Sequence, residues 1–142
     1  MPSPIKMRVL CSSTKPQIRT YAAAIGEACE CLVSDVPPAY PCDKERLVVL
    51  VMSLNGAPND LLRRFCMELN PSRAANVALV VDNKKQLKSV DSVKAILKEA
   101  GTNVLEDVYY LPSPGLFSGA KISLDQRIAI VKWVENIAKS IT

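Results

Sequence analysis

Histidine is absent from this sequence. Its absence removes the commonest general base and the commonest metal ligand, so triads built on imidazole and His-containing zinc sites are excluded. Cysteine is present but unorganised: there are five, an odd number, with no Cys-x-x-Cys pair. That is poor material for a disulfide framework or a zinc site, and no metal is expected. Cys11 and Cys66 fall in apolar-patterned segments, where a free thiol behaves as a small hydrophobe. Cys29 and Cys31 stand two apart and would share a face on a strand. No apolar run approaches the roughly 18 residues of a membrane span. The opening Met1-Pro2-Ser3-Pro4-Ile5-Lys6 lacks the charged-then-apolar order of a secretory leader, so a cytoplasmic chain without a membrane partner is expected. The net charge of +4 is small and spread along the chain. Its one cluster, Lys84, Lys85 and Lys88, reads as a solvated face rather than a nucleic-acid site.

What is present is an alternation of two periodicities. Met7-Arg8-Val9-Leu10-Cys11 reads as a strand that stops at Ser12-Ser13-Thr14. Ile18, Tyr21, Ala22, Ile25 and Cys29 then recur at helical spacing, and Pro16 suits the first turn, where a missing N–H costs nothing. A short strand at about Cys31 to Asp35 leads into Val36-Pro37-Pro38-Ala39-Tyr40-Pro41. Three prolines in that stretch exclude a helix or a central strand, so an extended connection is expected in place of a crossover helix. Leu47-Val48-Val49-Leu50-Val51-Met52 is apolar on both faces, as a central parallel strand between helical layers should be. After Ser53-Leu54-Asn55-Gly56-Ala57-Pro58, Asn59 caps a helix carrying Leu61, Leu62, Phe65, Cys66 and Leu69. Val77 to Val81 is a further strand, ending at Asp82-Asn83. A helix over about Val90 to Ala100 stops at Gly101. A last strand covers about Val104 to Leu111, and a last helix runs from Leu124 to about Ser140, with Ile128, Val131, Val134, Ala138 and Ile141 along one stripe. Five strands alternating with helices predict an α/β fold: one domain over residues 1–142, with a five-stranded parallel sheet between two helical layers.

In such a sheet, ligands bind beyond the carboxyl ends of the strands, where strand order reverses. Those ends are Ser12 to Gln17, Ser53 to Pro58, Asp82 to Lys88 and Leu111 to Gly119. The first is a hydroxyl-rich turn into a helix. Ser12, Ser13 and Thr14 there suit a phosphate held over a helix N-terminus, with Lys15 adding charge. The same hydroxyls equally suit ordinary helix caps.

The order of segments resembles the flavodoxin family over nearly the whole chain. Val9-Leu10-Cys11-Ser12-Ser13 followed by Tyr21-Ala22-Ala23-Ala24-Ile25 looks like that family's first strand, phosphate loop and first helix. Leu47 to Met52 with Ser53 and Gly56 is similar to its third strand and first flavin-facing loop. Gly115-Leu116-Phe117-Ser118-Gly119-Ala120-Lys121, running into Asp125-Gln126-Arg127, resembles the close of its short members. The resemblance implies a flavodoxin-like three-layer sandwich, bound flavin mononucleotide (FMN), and electron transfer to or from a partner oxidoreductase. It also implies a cofactor-binding set of Ser12, Ser13, Thr14, Lys15, Gln17, Ser53, Leu54, Asn55, Gly56, Asp82 and Asn83.

The sequence departs from the family in named places. The family's phosphate loop reads Ser/Thr-x-Thr-Gly-x-Thr, against Ser13-Thr14-Lys15-Pro16-Gln17-Ile18 here. Pro16 removes a backbone donor and the freedom of the glycine, and Ile18 removes a hydroxyl. Neither Ser53 to Pro58 nor Asp82 to Lys88 holds an aromatic ring to stack on a flavin, which leaves Met52 and Leu54 for apolar contact. Tyr40 and Phe117 are the rings expected nearest the mouth, and Trp133 is expected in the core. Electron-carrying flavodoxins are typically acidic, whereas this chain is basic. These departures define the alternative: a cofactor-free accessory or docking subunit of a reductase on the same fold. A catalytic reading would rest on Cys11, whose place at a strand end beside a helix N-terminus suits a lowered thiol pKa.

Overall fold

The computed structural model describes residues 5–54, 58–82, 87–112 and 121–141. Five strands, β1 (Met7–Ser12), β2 (Leu32–Asp35), β3 (Leu47–Met52), β4 (Asn76–Val81) and β5 (Asn103–Tyr110), alternate with four helices. These are α1 (Pro16–Cys29), α2 (Asp60–Glu68), α3 (Leu87–Ala100) and α4 (Leu124–Ser140). The sheet order is β2-β1-β3-β4-β5, and each neighbouring pair is parallel.

The period of two in the strands decides which helix each residue meets. Leu10, Leu50, Met52 and Leu79 point to the face covered by α2 and α3, where they meet Leu62, Phe65, Val93 and Leu97. Val9, Val49, Val51 and Val80 point the other way, onto Ile18, Tyr21 and Ile25 of α1 and Ile130 and Val134 of α4. Every residue of β3 is therefore buried, as its two-sided apolar sequence requires. The edge strand β2 is the opposite case, with Leu32 66 % exposed.

No helix joins β2 to β3. The proline-rich segment is irregular chain, as its composition predicts; it runs over the face of the sheet that holds Leu10, where Val36 and Cys42 pack, and is tied at the amino edge. Arg8 donates to the Tyr40 carbonyl at 2.5 Å, and Lys6 donates to the Asp43 carbonyl. Glu45, buried, exchanges backbone bonds with Arg73 and Ala75. Its carboxylate lies 3.8 Å from both Lys6 and Arg8.

Three details differ from the sequence expectations. Helix α3 begins at Leu87, one turn before the expected start at Val90. On α4 the buried stripe is Ile130, Val134 and Ala138, while Ile128 is exposed. Two residues correspond to about 200° around a helix, so choosing Ile130 as the core position turns Ile128 to solvent. The third is a capping box: the Ser123 hydroxyl accepts from Gln126 N–H at 3.1 Å, and the Gln126 side chain accepts from Ser123 N–H at 2.9 Å. Asn59 caps α2 as expected, accepting from Leu62 N–H at 2.9 Å. Trp133 packs against Tyr109, with ring centroids 5.3 Å apart. Among the described residues, no helix is long and apolar enough to cross a membrane.

Candidate functional site

The carboxyl ends of β1, β2 and β3 open onto a cavity of about 420 Å³. The turn from β1 into α1 forms one wall with Ser12, Ser13, Thr14 and Lys15, and Arg19 stands behind it. Asp35 and Val36 arrive from the end of β2, Ser53 from β3, and Asn59 and Leu61 from the start of α2.

The turn is shaped by its own side chains. The Ser13 hydroxyl accepts from Lys15 N–H at 3.1 Å, two residues on. Arg19 reaches back to donate to the Ser13 carbonyl at 3.2 Å and to Asp35 Oδ1 at 2.7 Å. Lys15 is the N-cap residue of α1, with no side-chain cap, and Pro16 follows at the first helical position. The hydroxyls of Ser12, Ser13 and Thr14 therefore do not cap α1. The first helical bond runs from Arg19 N–H to the Lys15 carbonyl. The amides of Gln17 and Ile18 belong to the helix end whose N–H groups lack helical acceptors and which carries the positive pole of the dipole.

A second cluster lies beside this wall. Asp82, at the end of β4, accepts from Ser53 Oγ at 2.6 Å, from Leu54 N–H at 3.1 Å and from Lys15 Nζ at 3.0 Å. The structure thus joins Lys15, Ser53, Leu54 and Asp82 of the predicted set, but to one another. The side chains of Leu54 and Met52 are buried in the core on the α2 and α3 side, so the backbone of Leu54 is the part that meets this cluster. Gln17 is turned aside, donating to the Lys121 carbonyl at 3.2 Å. Asn55, Gly56, Asn83 and Phe117 lie outside the described residues, as do Lys84 and Lys85. Tyr40 is exposed, and no aromatic residue is found among the described residues lining the cavity.

Arg19, Asp35, Val36 and Leu61 were not singled out by the sequence. Two signals were available. Arg19 lies four residues after Lys15, hence on the same helical face, and Asp35 ends the strand that pairs with β1, opposite Cys11.

The thiols do not support nucleophilic chemistry. Burial pushes Cys11 up, against the opposing pull of Arg19, which corrects the lowered pKa expected from its position. Burial pushes Cys66 up to about 12, and burial followed by Cys29 and Glu45 does the same for Cys31. A thiol raised in the folded state contributes stability that is complete below its unfolded value of 9.0 and is lost as pH rises toward 12. Native protein at pH 8 is therefore expected to react only slowly with a thiol-directed disulfide reagent, whereas denatured protein reacts at all five cysteines. Unfolding midpoints are expected to fall above pH 9. Prompt labelling of Cys11 in the folded protein would contradict this assignment. Among the described residues, no group of three or more histidine, cysteine, aspartate or glutamate side chains could hold a metal ion.

Solved flavodoxins share this architecture. The flavodoxin of Streptococcus pneumonia TIGR4 superposes with a TM-score of 0.63 at 10 % identity, covering 95 % of this chain and 99 % of that one. A flavodoxin from the domain Archaea gives 0.66 at 13 % identity, covering 96 % and 99 %. The fold is flavodoxin-like. A short-chain flavodoxin associated with a bacterial microcompartment gives 0.65 at 15 % identity, covering 97 % and 99 %. No family model matches the sequence, and neither does any curated protein. At such identities the likeness concerns the flavodoxin-like fold alone, and any ligand must be judged from this chain's own residues.

FMN presents a phosphate, a polyol and a tricyclic ring. The phosphate end fits: the wall of the cavity offers three hydroxyls at a helix N-terminus, with Arg19 beside them and the Lys15 ammonium turned to Asp82. Both cations carry carboxylate partners, Asp82 and Asp35, so the local charge is nearly balanced. For the ring, the cavity provides aliphatic surface from Val36 and Leu61.

Proposed function

We propose that this chain binds FMN at the carboxyl edge of its sheet and exchanges electrons with a partner oxidoreductase. The observation that carries the reading is the cavity over the N-terminus of α1, walled by Ser12, Ser13 and Thr14. In this reading Ser12 and Thr14, with the first amides of α1, would hold the phosphate. Arg19 positions the Ser13 carbonyl and adds positive charge, and Val36 and Leu61 would cover part of the ring. When bound, the flavin supplies the redox chemistry, while the protein supplies binding and tuning.

Titration of FMN with the purified protein tests it. Saturable quenching of flavin fluorescence at micromolar protein is expected, with riboflavin binding more weakly because it lacks the phosphate. Arg19→Met is expected to weaken FMN roughly tenfold, the order of a lost charged hydrogen bond, while leaving riboflavin nearly unchanged. No quenching by either flavin would reject the reading.

One observation favours a second reading, the cofactor-free accessory subunit of a reductase. Asp82 already engages a hydroxyl, an amide and an ammonium group at this edge. The same titration separates the two, since a docking subunit would leave both flavins free.

A further inference from the structure

Asp82 stands where the loops after β1, β3 and β4 meet. Its Oδ2 accepts from Ser53 Oγ at 2.6 Å and from Lys15 Nζ at 3.0 Å, and its Oδ1 accepts from Leu54 N–H at 3.1 Å. Its own N–H is bonded to the Met52 carbonyl at 3.1 Å, so the backbone that carries the carboxylate is held by the sheet. A hydroxyl, an amide and an ammonium converging on one acceptor form the donor set that an anionic ligand group needs. Here a side chain of the protein itself occupies them.

Asp82 does not itself line the cavity but is bonded to Lys15 and Ser53, which do, and shielding distinguishes this ion pair from that of Arg19. Asp82 is only 11 % exposed although Lys15 is 62 % exposed, whereas Asp35, the partner of Arg19, is 66 % exposed. Water screens the Arg19 pair on both sides, and charge at Arg19 remains open to a ligand. The Asp82 carboxylate, largely enclosed and bonded to Ser53 and Leu54, acts at closer to full strength on Lys15 and on any anion brought beside it.

We propose that Asp82 is an internal competitor at the anion site: it holds Lys15 away from the ligand, repels phosphate, and so sets the affinity of the cavity for phosphate monoesters. This deepens the phosphate-binding reading and rests on it. Asp82→Asn keeps an oxygen able to accept from Ser53 or Leu54 while removing the charge that retains Lys15. Lys15, being exposed, can be replaced without disturbing the fold.

The test measures binding of inorganic phosphate and of FMN by calorimetry at low salt to four proteins: unaltered, Asp82→Asn, Lys15→Met and the double variant. Thermal unfolding establishes that each is folded. Asp82→Asn is expected to bind both ligands about tenfold more tightly, a gain of the size seen when a shielded charge is relieved. Lys15→Met is expected to change binding less than about twofold in the unaltered background and to abolish most of the gain in the Asp82→Asn background. Equal or weaker binding by Asp82→Asn overturns the proposal. So does a tenfold loss on Lys15→Met alone, which remains measurable even if Asp82→Asn fails to fold. Binding to the unaltered protein with no response to Asp82→Asn rejects only the competitor role. Absence of binding to all four proteins rejects the phosphate site as well.

Discussion

Leu50→Ala is expected to lower the unfolding free energy by about 3 to 5 kcal/mol, while Leu32→Ala changes it by less than about 0.5 kcal/mol. Both leucines lie in parallel strands of the same sheet, and the difference is position. Leu50 is wholly buried at the middle of β3, flanked by Leu10 on one neighbouring strand and Leu79 on the other. It packs in the cluster that α2 and α3 close over. Truncation there removes apolar burial and leaves a cavity that flanking strands, held by hydrogen bonds on both sides, cannot collapse to fill. Leu32 opens the edge strand and is 66 % exposed, so little burial is lost. Urea unfolding followed by circular dichroism measures both. A loss below about 1 kcal/mol for Leu50→Ala, far under the range for a buried leucine, would contradict the placement of β3 at the centre.

Gly26→Val is expected to destabilise by about 1 to 3 kcal/mol, the range for overpacking. Helix propensity alone predicts the opposite sign, since glycine within a helix costs about 1 kcal/mol relative to alanine. Geometry reverses it. A Cβ added at Gly26 would lie 2.2 Å from Val33 Cγ2 and 3.3 Å from the Cys31 carbonyl oxygen. The valine side chain can turn away at some cost, but the carbonyl belongs to backbone that accompanies the helix end, where Cys31 N–H bonds to the Gly26 carbonyl at 3.0 Å. The bare backbone of Gly26 is therefore what lets α1 seat against β2. Gly26→Ala should suffer mainly from Val33, so Val33→Ala is expected to recover about 1 kcal/mol in that background, and the double-mutant cycle reads this coupling directly. A Gly26→Ala protein as stable as the parent would show that β2 accommodates the methyl group.

Much of the scaffold is written in local pattern. Two-sided apolar runs at Leu47 to Met52 and Val77 to Val81 specify buried parallel strands, because only a strand covered on both faces can hide every residue. The prolines between Tyr40 and the end of β2 exclude a helix there, and none forms. Ser123 and Gln126 went unread where Asn59 was read, although the Ser-x-x-Gln spacing is itself a helix-start signal. The carboxyl-edge rule located the loops that wall the cavity. Ser12 to Lys15 and Ser53 were found by it, and Asp35 could have been.

The rest depended on contacts that local pattern does not encode. Spacing showed that α4 is a helix with an apolar stripe, but the sheet decided that Ile130 rather than Ile128 faces inward. A stripe has a period, and only its partner surface assigns the phase. Leu54 looked available to a ligand because it follows a strand, yet burial against α2 and α3 leaves its amide as the group that meets Asp82. Lys15 and Asp82 were both placed at the site, but their pairing joins residues 67 positions apart. The amino-acid sequence thus determined the strands, the helices and the edge at which the cavity opens, through periodicity and the demands of backbone hydrogen bonding. Tertiary packing alone decided which donors at that edge remain for a ligand and which Asp82 already holds, because that depends on charges brought together only when the sheet closes its parallel order.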